Sequence, residues 1–263
     1  MELENKKPII HCITNIITVN DCANVLHAIG AAPVMAHHPK EVEEVTMSAS
    51  ALVINLGATE DFEAMQIAIK AADQVNIPIV IDPVGAGGIT FRRTMFRKLL
   101  AIASPSCIRG NMSEIKALYF DFNTTIGVDA ISSNREENDA EIVRLFARKM
   151  GCIVVASGQT DIISDGEKCI FIESGTKMLT HITGAGCMSS AMIGGYLGKS
   201  SASDDRMEII RQACQCMAES GEKAACRIKK ECAGIMTFHT YLLDEISKNF
   251  ISVGKTPTSI SGE

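Results

Sequence analysis

The sequence contains no uninterrupted apolar run approaching the roughly 18 residues that a membrane span requires, and its charged opening, Met1–Lys7, leads into no apolar leader. A cytoplasmic protein with no membrane contact is expected. Positive charge is also scarce: 25 Lys and Arg face 31 Asp and Glu, a net charge of −6. Nucleic-acid surfaces gather Lys and Arg against phosphates, so no nucleic-acid partner is expected. The short basic run Arg92, Arg93, Arg97 and Lys98 reads as a solvated helix face. The ten cysteines are scattered without a Cys-x-x-Cys pair, and the six histidines include no His-Glu-x-x-His. Neither a disulfide framework nor a zinc site has its required spacing. The thiols are expected to be free and buried as small apolar side chains.

What the sequence holds is a globular composition, 46% hydrophobic and 21% charged over 263 residues, enough for one large domain spanning 1–263. Short apolar runs alternate with helix-like segments. Strands are predicted over 8–13, 33–36, 51–56, 77–81, 106–109 and 152–156, and helices over 20–29, 41–49, 60–75, 90–102, 113–120 and 140–150. The continuous apolar run at 77–81 suits a strand covered on both faces, as in a parallel sheet. Past residue 156 the rhythm changes, where 161–164 and 168–172 flank Asp165-Gly166, a dipeptide fit for a tight hairpin turn. The polar segment 123–138 reads as a surface loop, and the remainder as mostly helical. The fold class is therefore α/β, a central mostly parallel sheet flanked by helices, with a β-hairpin extension.

In open α/β sheets, ligands sit beyond the carboxyl ends of the strands. Those ends carry His11–Asn15, Asn55-Leu56-Gly57, Asp82-Pro83-Val84-Gly85-Ala86-Gly87 and Arg109-Gly110-Asn111-Met112-Ser113-Glu114. A further segment, Thr183-Gly184-Ala185-Gly186-Cys187, opens a helix of small residues. A glycine-rich turn there aims unpaired N–H groups and the positive end of the helix dipole at an anion, phosphate first. It is not a Walker A loop, since Gly198-Lys199-Ser200 would need glycine where the chain has Ile193. Nor is it a dinucleotide fingerprint, because Ser189 stands in the place of the third glycine. Asp82 and Glu114 come to the same sheet edge, and Mg²⁺ is usually held by one or two carboxylates plus substrate phosphates. Each acid also has a local reading, Asp82 as a turn residue before proline and Glu114 as a carboxylate at a helix start. His11 reads as a hydrogen-bonded structural histidine and Asn15 as a turn former.

Asn111-Met112-Ser113-Glu114 resembles the Asn-x-x-Glu motif of ribokinase-like small-molecule kinases, and Thr183–Cys187 stands where those enzymes have their glycine-rich anion hole. With His11–Asn15, Gly30–Ala36, Ile81–Gly87 and Arg109-Gly110-Asn111 in the same order, the chain over 8–245 resembles the hydroxyethylthiazole kinases. The resemblance implies a ribokinase-like fold and phosphorylation, by ATP with Mg²⁺, of the primary alcohol of 4-methyl-5-(2-hydroxyethyl)thiazole, a salvage step toward thiamine. It implies a homotrimer with active sites at subunit interfaces. It also implies that Met35 and Gly184 bind the thiazole, Arg109 and Ser157 bind ATP, and Asp82 and Glu114 attend the metal, around a catalytic turn of Gly184, Ala185, Gly186 and Cys187.

Phosphoryl transfer passes through a loose transition state, so catalysis is mostly positioning and electrostatic stabilisation. Most ribokinase-like enzymes place aspartate where this chain has Cys187, and an ordinary thiol is only a few per cent thiolate at neutral pH. Cys187 is therefore expected to be a weak base or a packing residue, with the turn's amides contributing more. Two other functions stay open from the residues: a kinase of the same fold for a hydroxymethylpyrimidine or a sugar, and a non-catalytic thiazole-binding sensor. The mostly apolar 31–36 segment favours a small heterocycle over a sugar, and the presence of Asp82, Glu114 and the glycine turn favours chemistry over sensing.

Overall fold

The computed structural model describes residues 7–122, 135–201 and 203–253. Its strands are β1 (Ile9–Ile13), β2 (Ala32–Val34), β3 (Ala51–Asn55), β4 (Ile79–Asp82), β5 (Cys107–Asn111), β6 (Ile153–Ser157), β7 (Asp161–Ser164) and β8 (Cys169–Ile172). The helices are α1 (Val19–Ala28), α2 (Val42–Ser48), α3 (Phe62–Gln74), α4 (Thr90–Leu100), α5 (Met112–Phe122), α6 (Arg135–Met150), α7 (Ala185–Lys199), α8 (Arg206–Glu231) and α9 (Ile235–Val253). One eight-stranded sheet runs in the order β2-β1-β3-β4-β5-β6-β7-β8. Its strands are parallel from β2 through β6, and β7 and β8 add the antiparallel hairpin.

Alternation along the strands divides the core into two layers. Val53, Val80, Cys107 and Val155 face α1, α7, α8 and α9. Their neighbours Leu52, Ile54, Ile81, Ile108 and Val154 face the layer of α3, α4, α5 and α6. Both faces being covered, the strands are apolar at nearly every position, which is why they read as unbroken runs. Met192, Ile193 and Leu197 of α7 are fully or almost fully buried, and burying each such side chain contributes roughly 1.5–3 kcal/mol.

The predicted elements recur with shifted ends. β5 continues past Arg109 to Asn111 because Gly110 and Asn111 still pair with Ala156 and Ser157 of β6. β2 stops at Val34, leaving Met35 and Ala36 outside the sheet. Of the 123–138 segment read as a loop, 123–134 lies outside the described residues, and the rest is helical, since α6 begins at Arg135. Polarity alone does not separate a loop from an exposed helical turn. The basic run on α4 is more than a solvated face: Arg92 Nη1 donates to Val84 O (2.9 Å) and Arg93 Nη1 to Ala86 O (2.7 Å), tethering the loop after β4.

Candidate active site

The carboxyl ends of β1, β3, β4 and β5 meet the start of α7, which packs against all of these strands. Gly184 is the residue before α7, with φ of 89°, a left-handed value that glycine adopts without steric cost. A Cβ there would also lie 2.9 Å from Thr18 Cγ2. The first amides of α7 have no acceptor within the helix and share its positive dipole end. At Gly186, a Cβ would lie 2.7 Å from Arg109 Nη1, so glycine is what lets the guanidinium lie against the turn. Arg109 Nη2 in turn donates to Ser157 Oγ at 2.9 Å. The two residues expected at the nucleotide thus bind each other, and Arg109 reaches the anion turn.

Asp82 ends β4 and is buried to 1% exposure. Its Oδ2 accepts from Ser190 Oγ of α7 at 2.7 Å, while Oδ1, equally enclosed, has no hydrogen-bond partner. Burial pushes its carboxyl up to about 6, against the pull of Arg109, the Ser190 bond and the nearby Asn55 carboxamide, while Glu114 adds to the rise. Glu114 is buried too, with both oxygens on backbone amides: Oε1 accepts from Gly85 N and Oε2 from Asn111 N, each at 2.8 Å. Asn111 Oδ1 returns a bond from Glu114 N at 3.0 Å. The Asn-x-x-Glu motif is therefore a reciprocal helix cap that also braces the glycine-rich loop after β4.

These acids fit Mg²⁺ unequally. Asp82 offers an unpartnered buried oxygen, whereas Glu114's oxygens are already engaged, which suits a contact through water. Among the described residues no group of three or more His, Cys, Asp or Glu is placed to enclose a metal, and Mg²⁺ does not need one.

Cys187 is half-buried, and its Sγ accepts from Asn55 Nδ2 at 3.2 Å and Asn15 Nδ2 at 3.5 Å. Burial first, and then the Asp82 charge, push its thiol above the ordinary range. Asn15 is the turn former expected, its Oδ1 accepting from Ile17 N and Thr18 N at 3.1 and 3.2 Å, but it reaches the sulfur as well. From sequence Asn55 stands out only as part of the Asn55-Leu56-Gly57 strand end, with no role of its own, and its contact with Cys187 comes from the fold. All ten cysteines are free thiols, and most are buried.

Met35 lies apart from the nucleotide side, beyond the edge strand β2, half-buried against the layer that Cys187 joins. Buried His11 fixes this segment, with Nε2 bonded to Ala36 O at 2.9 Å and Nδ1 to Thr46 Oγ1 at 2.8 Å. On the α5 side of Ser157 a cavity of about 570 Å³ opens among Met112, Lys116, Gln159, Ile162 and Phe171. It meets the anion turn's group of residues only at Ser157.

A family model described as the hydroxyethylthiazole kinase family matches residues 1–251. A hydroxyethylthiazole kinase of Clostridium beijerinckii is 45% identical over 251 residues, covering 94% of this chain and 89% of the relative. One from Methanobrevibacter smithii is 39% identical over 261 residues, with 94% and 89% covered. Among solved structures, a hydroxyethylthiazole kinase protein from Pyrococcus horikoshii superposes with a TM-score of 0.81 at 30% identity, covering 94% of this chain and 91% of that one. A ribokinase-like superfamily protein from Enterococcus faecalis shares the fold, with a TM-score of 0.65 at 11% identity and 95% and 91% covered.

Proposed function

Since the chain belongs to the hydroxyethylthiazole kinase family, we propose that it transfers the terminal phosphoryl group of ATP to the alcohol of 4-methyl-5-(2-hydroxyethyl)thiazole, in the route toward thiamine. The observation that carries this reading is the seating of Arg109 against Gly186 at the start of α7, with the buried carboxylate of Asp82 bonded to Ser190 of the same helix.

The amides of Ala185, Gly186 and Cys187 and the guanidinium of Arg109 stabilise the charge that spreads over the phosphoryl oxygens as the transfer proceeds. Ser157 orients Arg109 and contacts the nucleotide. The alcohol oxygen attacks the γ-phosphorus, the bond from that phosphorus to the β,γ-bridging oxygen breaks, ADP departs, and the alcohol proton is lost to water as the ester forms. Mg²⁺, when bound, would neutralise phosphate charge, held by Asp82 directly and by Glu114 through water. Cys187, its thiol pushed up, keeps its own proton at neutral pH. It serves as an oriented packing group more than as a base. Met35 and Gly184 line the thiazole pocket. The protein works as one catalytic domain per subunit in a cytoplasmic homotrimer, with the pocket at the subunit interface.

The test is ADP release with Mg²⁺ and ATP across thiazole, pyrimidine and sugar alcohols. Turnover confined to the thiazole alcohol is expected. Turnover with a sugar or pyrimidine alone would replace the substrate, and thiazole binding without turnover of any alcohol would make the protein a sensor.

A further inference from the structure

Thr18 occupies the capping position of α1, where a threonine hydroxyl ordinarily accepts from an amide of the helix's first turn. Here it makes no such bond. The residue is 3% exposed, and its Oγ1 is buried without a hydrogen-bond partner. Its methyl packs where a Gly184 Cβ would stand, 2.9 Å away, so the side chain lies directly on the anion turn. Its polar neighbours are the thiols of Cys22 and Cys187; burial pushes both thiols up, and hydrogen bonding with the Thr18 hydroxyl opposes that rise in each. Asn15 fixes its backbone through the bond from Thr18 N to Asn15 Oδ1 at 3.2 Å, and the same Asn15 holds the Cys187 sulfur. An enclosed hydroxyl that forgoes a helix cap and has only two thiols beside it, which are weak hydrogen-bonding groups, makes no well-formed hydrogen bond, and a buried polar group left so under-satisfied is one that a ligand can complete.

We propose that Thr18 is a catalytic residue that grips the acceptor: its Oγ1 takes the hydrogen bond from the substrate's alcohol and so aims the oxygen's lone pair at the phosphoryl group seated on Gly184–Cys187. A hydroxyl both accepts and donates, so Thr18 can receive the alcohol's proton side while turning its own hydrogen toward a neighbouring sulfur. A site built to hydrogen-bond a substrate hydroxyl also rejects the analogue that lacks it, because the buried group is then left unpaired.

This rests on the substrate assigned above, and the experiment separates the two. The chain has no tryptophan, so binding is read by calorimetry rather than intrinsic fluorescence. Titrations compare the thiazole alcohol with its 5-ethyl analogue on the full-length wild type, Thr18→Val and Thr18→Ser, alongside kcat and KM for each substrate. The wild type should prefer the alcohol. In Thr18→Val, which keeps the shape but not the hydroxyl, that preference should vanish and kcat/KM for the thiazole alcohol should fall by roughly ten- to a hundredfold, with KM for ATP unmoved. Thr18→Ser should restore both. Thr18→Val that keeps the wild-type preference and turnover overturns the role of Thr18, as does loss in Thr18→Val that Thr18→Ser fails to rescue. Wild type that ignores the thiazole alcohol but phosphorylates another alcohol overturns the substrate, and repeating the comparison with that alcohol then decides Thr18.

Discussion

Asp82 shows how much one site residue costs the fold. Desolvation disfavours its charged form, and its carboxyl is pushed up to about 6 from an ordinary value of 3.8. A folded-state value above the unfolded one means that Asp82's favourable contribution is fully present below pH 4 and is lost as pH rises through 6. A shift of this size corresponds to about 3 kcal/mol. Asp82→Asn should therefore raise the melting temperature by several degrees at pH 8 in metal-free buffer, as measured by scanning calorimetry, and give no gain at pH 4. The same variant should lose turnover by roughly a hundredfold or more, because the unpartnered Oδ1 ceases to be an anion. A lower melting temperature at pH 8 would mean that the attraction of Arg109, Ser190 and Asn55 for the carboxylate outweighs its desolvation. A buried acid kept at a stability cost is the pattern of a residue retained for function.

At the scale of elements, α7 matters most, and its small residues have two different purposes. Gly184 and Gly186 clear space for Thr18 and Arg109, but farther along a Cβ on Gly194 would lie 2.3 Å from Val53 Cγ2 and one on Gly198 2.6 Å from Ile10 Cδ1. Those later glycines let the helix lie close on β1 and β3, which fixes where its first turn sits. Gly194→Val should lower stability by roughly 1–3 kcal/mol and also reduce kcat, since the anion turn moves with the helix. Asp205→Ala is the control. Asp205 caps α8 through Met207 N and Glu208 N at 2.9 and 3.4 Å, so its loss should cost about 1 kcal/mol and leave kcat intact. Equal kcat losses in both would show that general destabilisation, not helix position, limits turnover.

For the whole molecule, the loop that brings Asn15 and Thr18 to the site also carries Ile16 and Ile17, 86% and 71% exposed. Nearby, the start of α9 leaves Ile235 and Met236 exposed, while His239 of that helix lies 3.1 Å from Asp21 of α1. Apolar side chains gathered beside a polar site mark a surface that another chain covers. If the proposed trimer forms through this face, Ile17→Glu should shift sedimentation toward monomer and raise KM for the thiazole more than KM for ATP. A variant that stays assembled, or a fully active monomer, would remove the interface from the pocket.

The sequence by itself determined the order of elements, the parallel core and the hairpin, because strands buried on both faces must be apolar throughout and Asp165-Gly166 suits a tight turn. It also marked Asp82, Arg109, Glu114 and the Gly184–Cys187 turn as candidates, each with a local reading when taken singly, because glycine and charge gathered at the carboxyl ends of several strands share one edge of the sheet. The tertiary structure alone decided what each of them touches. Glu114 caps its own helix and braces a loop, Arg109 closes on Gly186 only because β5 lies beneath α7, and Thr18 and Asn55 join the site from strands and helices distant in sequence. Local pattern records the burial and conformation that a residue's own segment demands; a hydrogen bond between residues more than a hundred positions apart, such as Ser190 to Asp82, exists only once the sheet has set their distance.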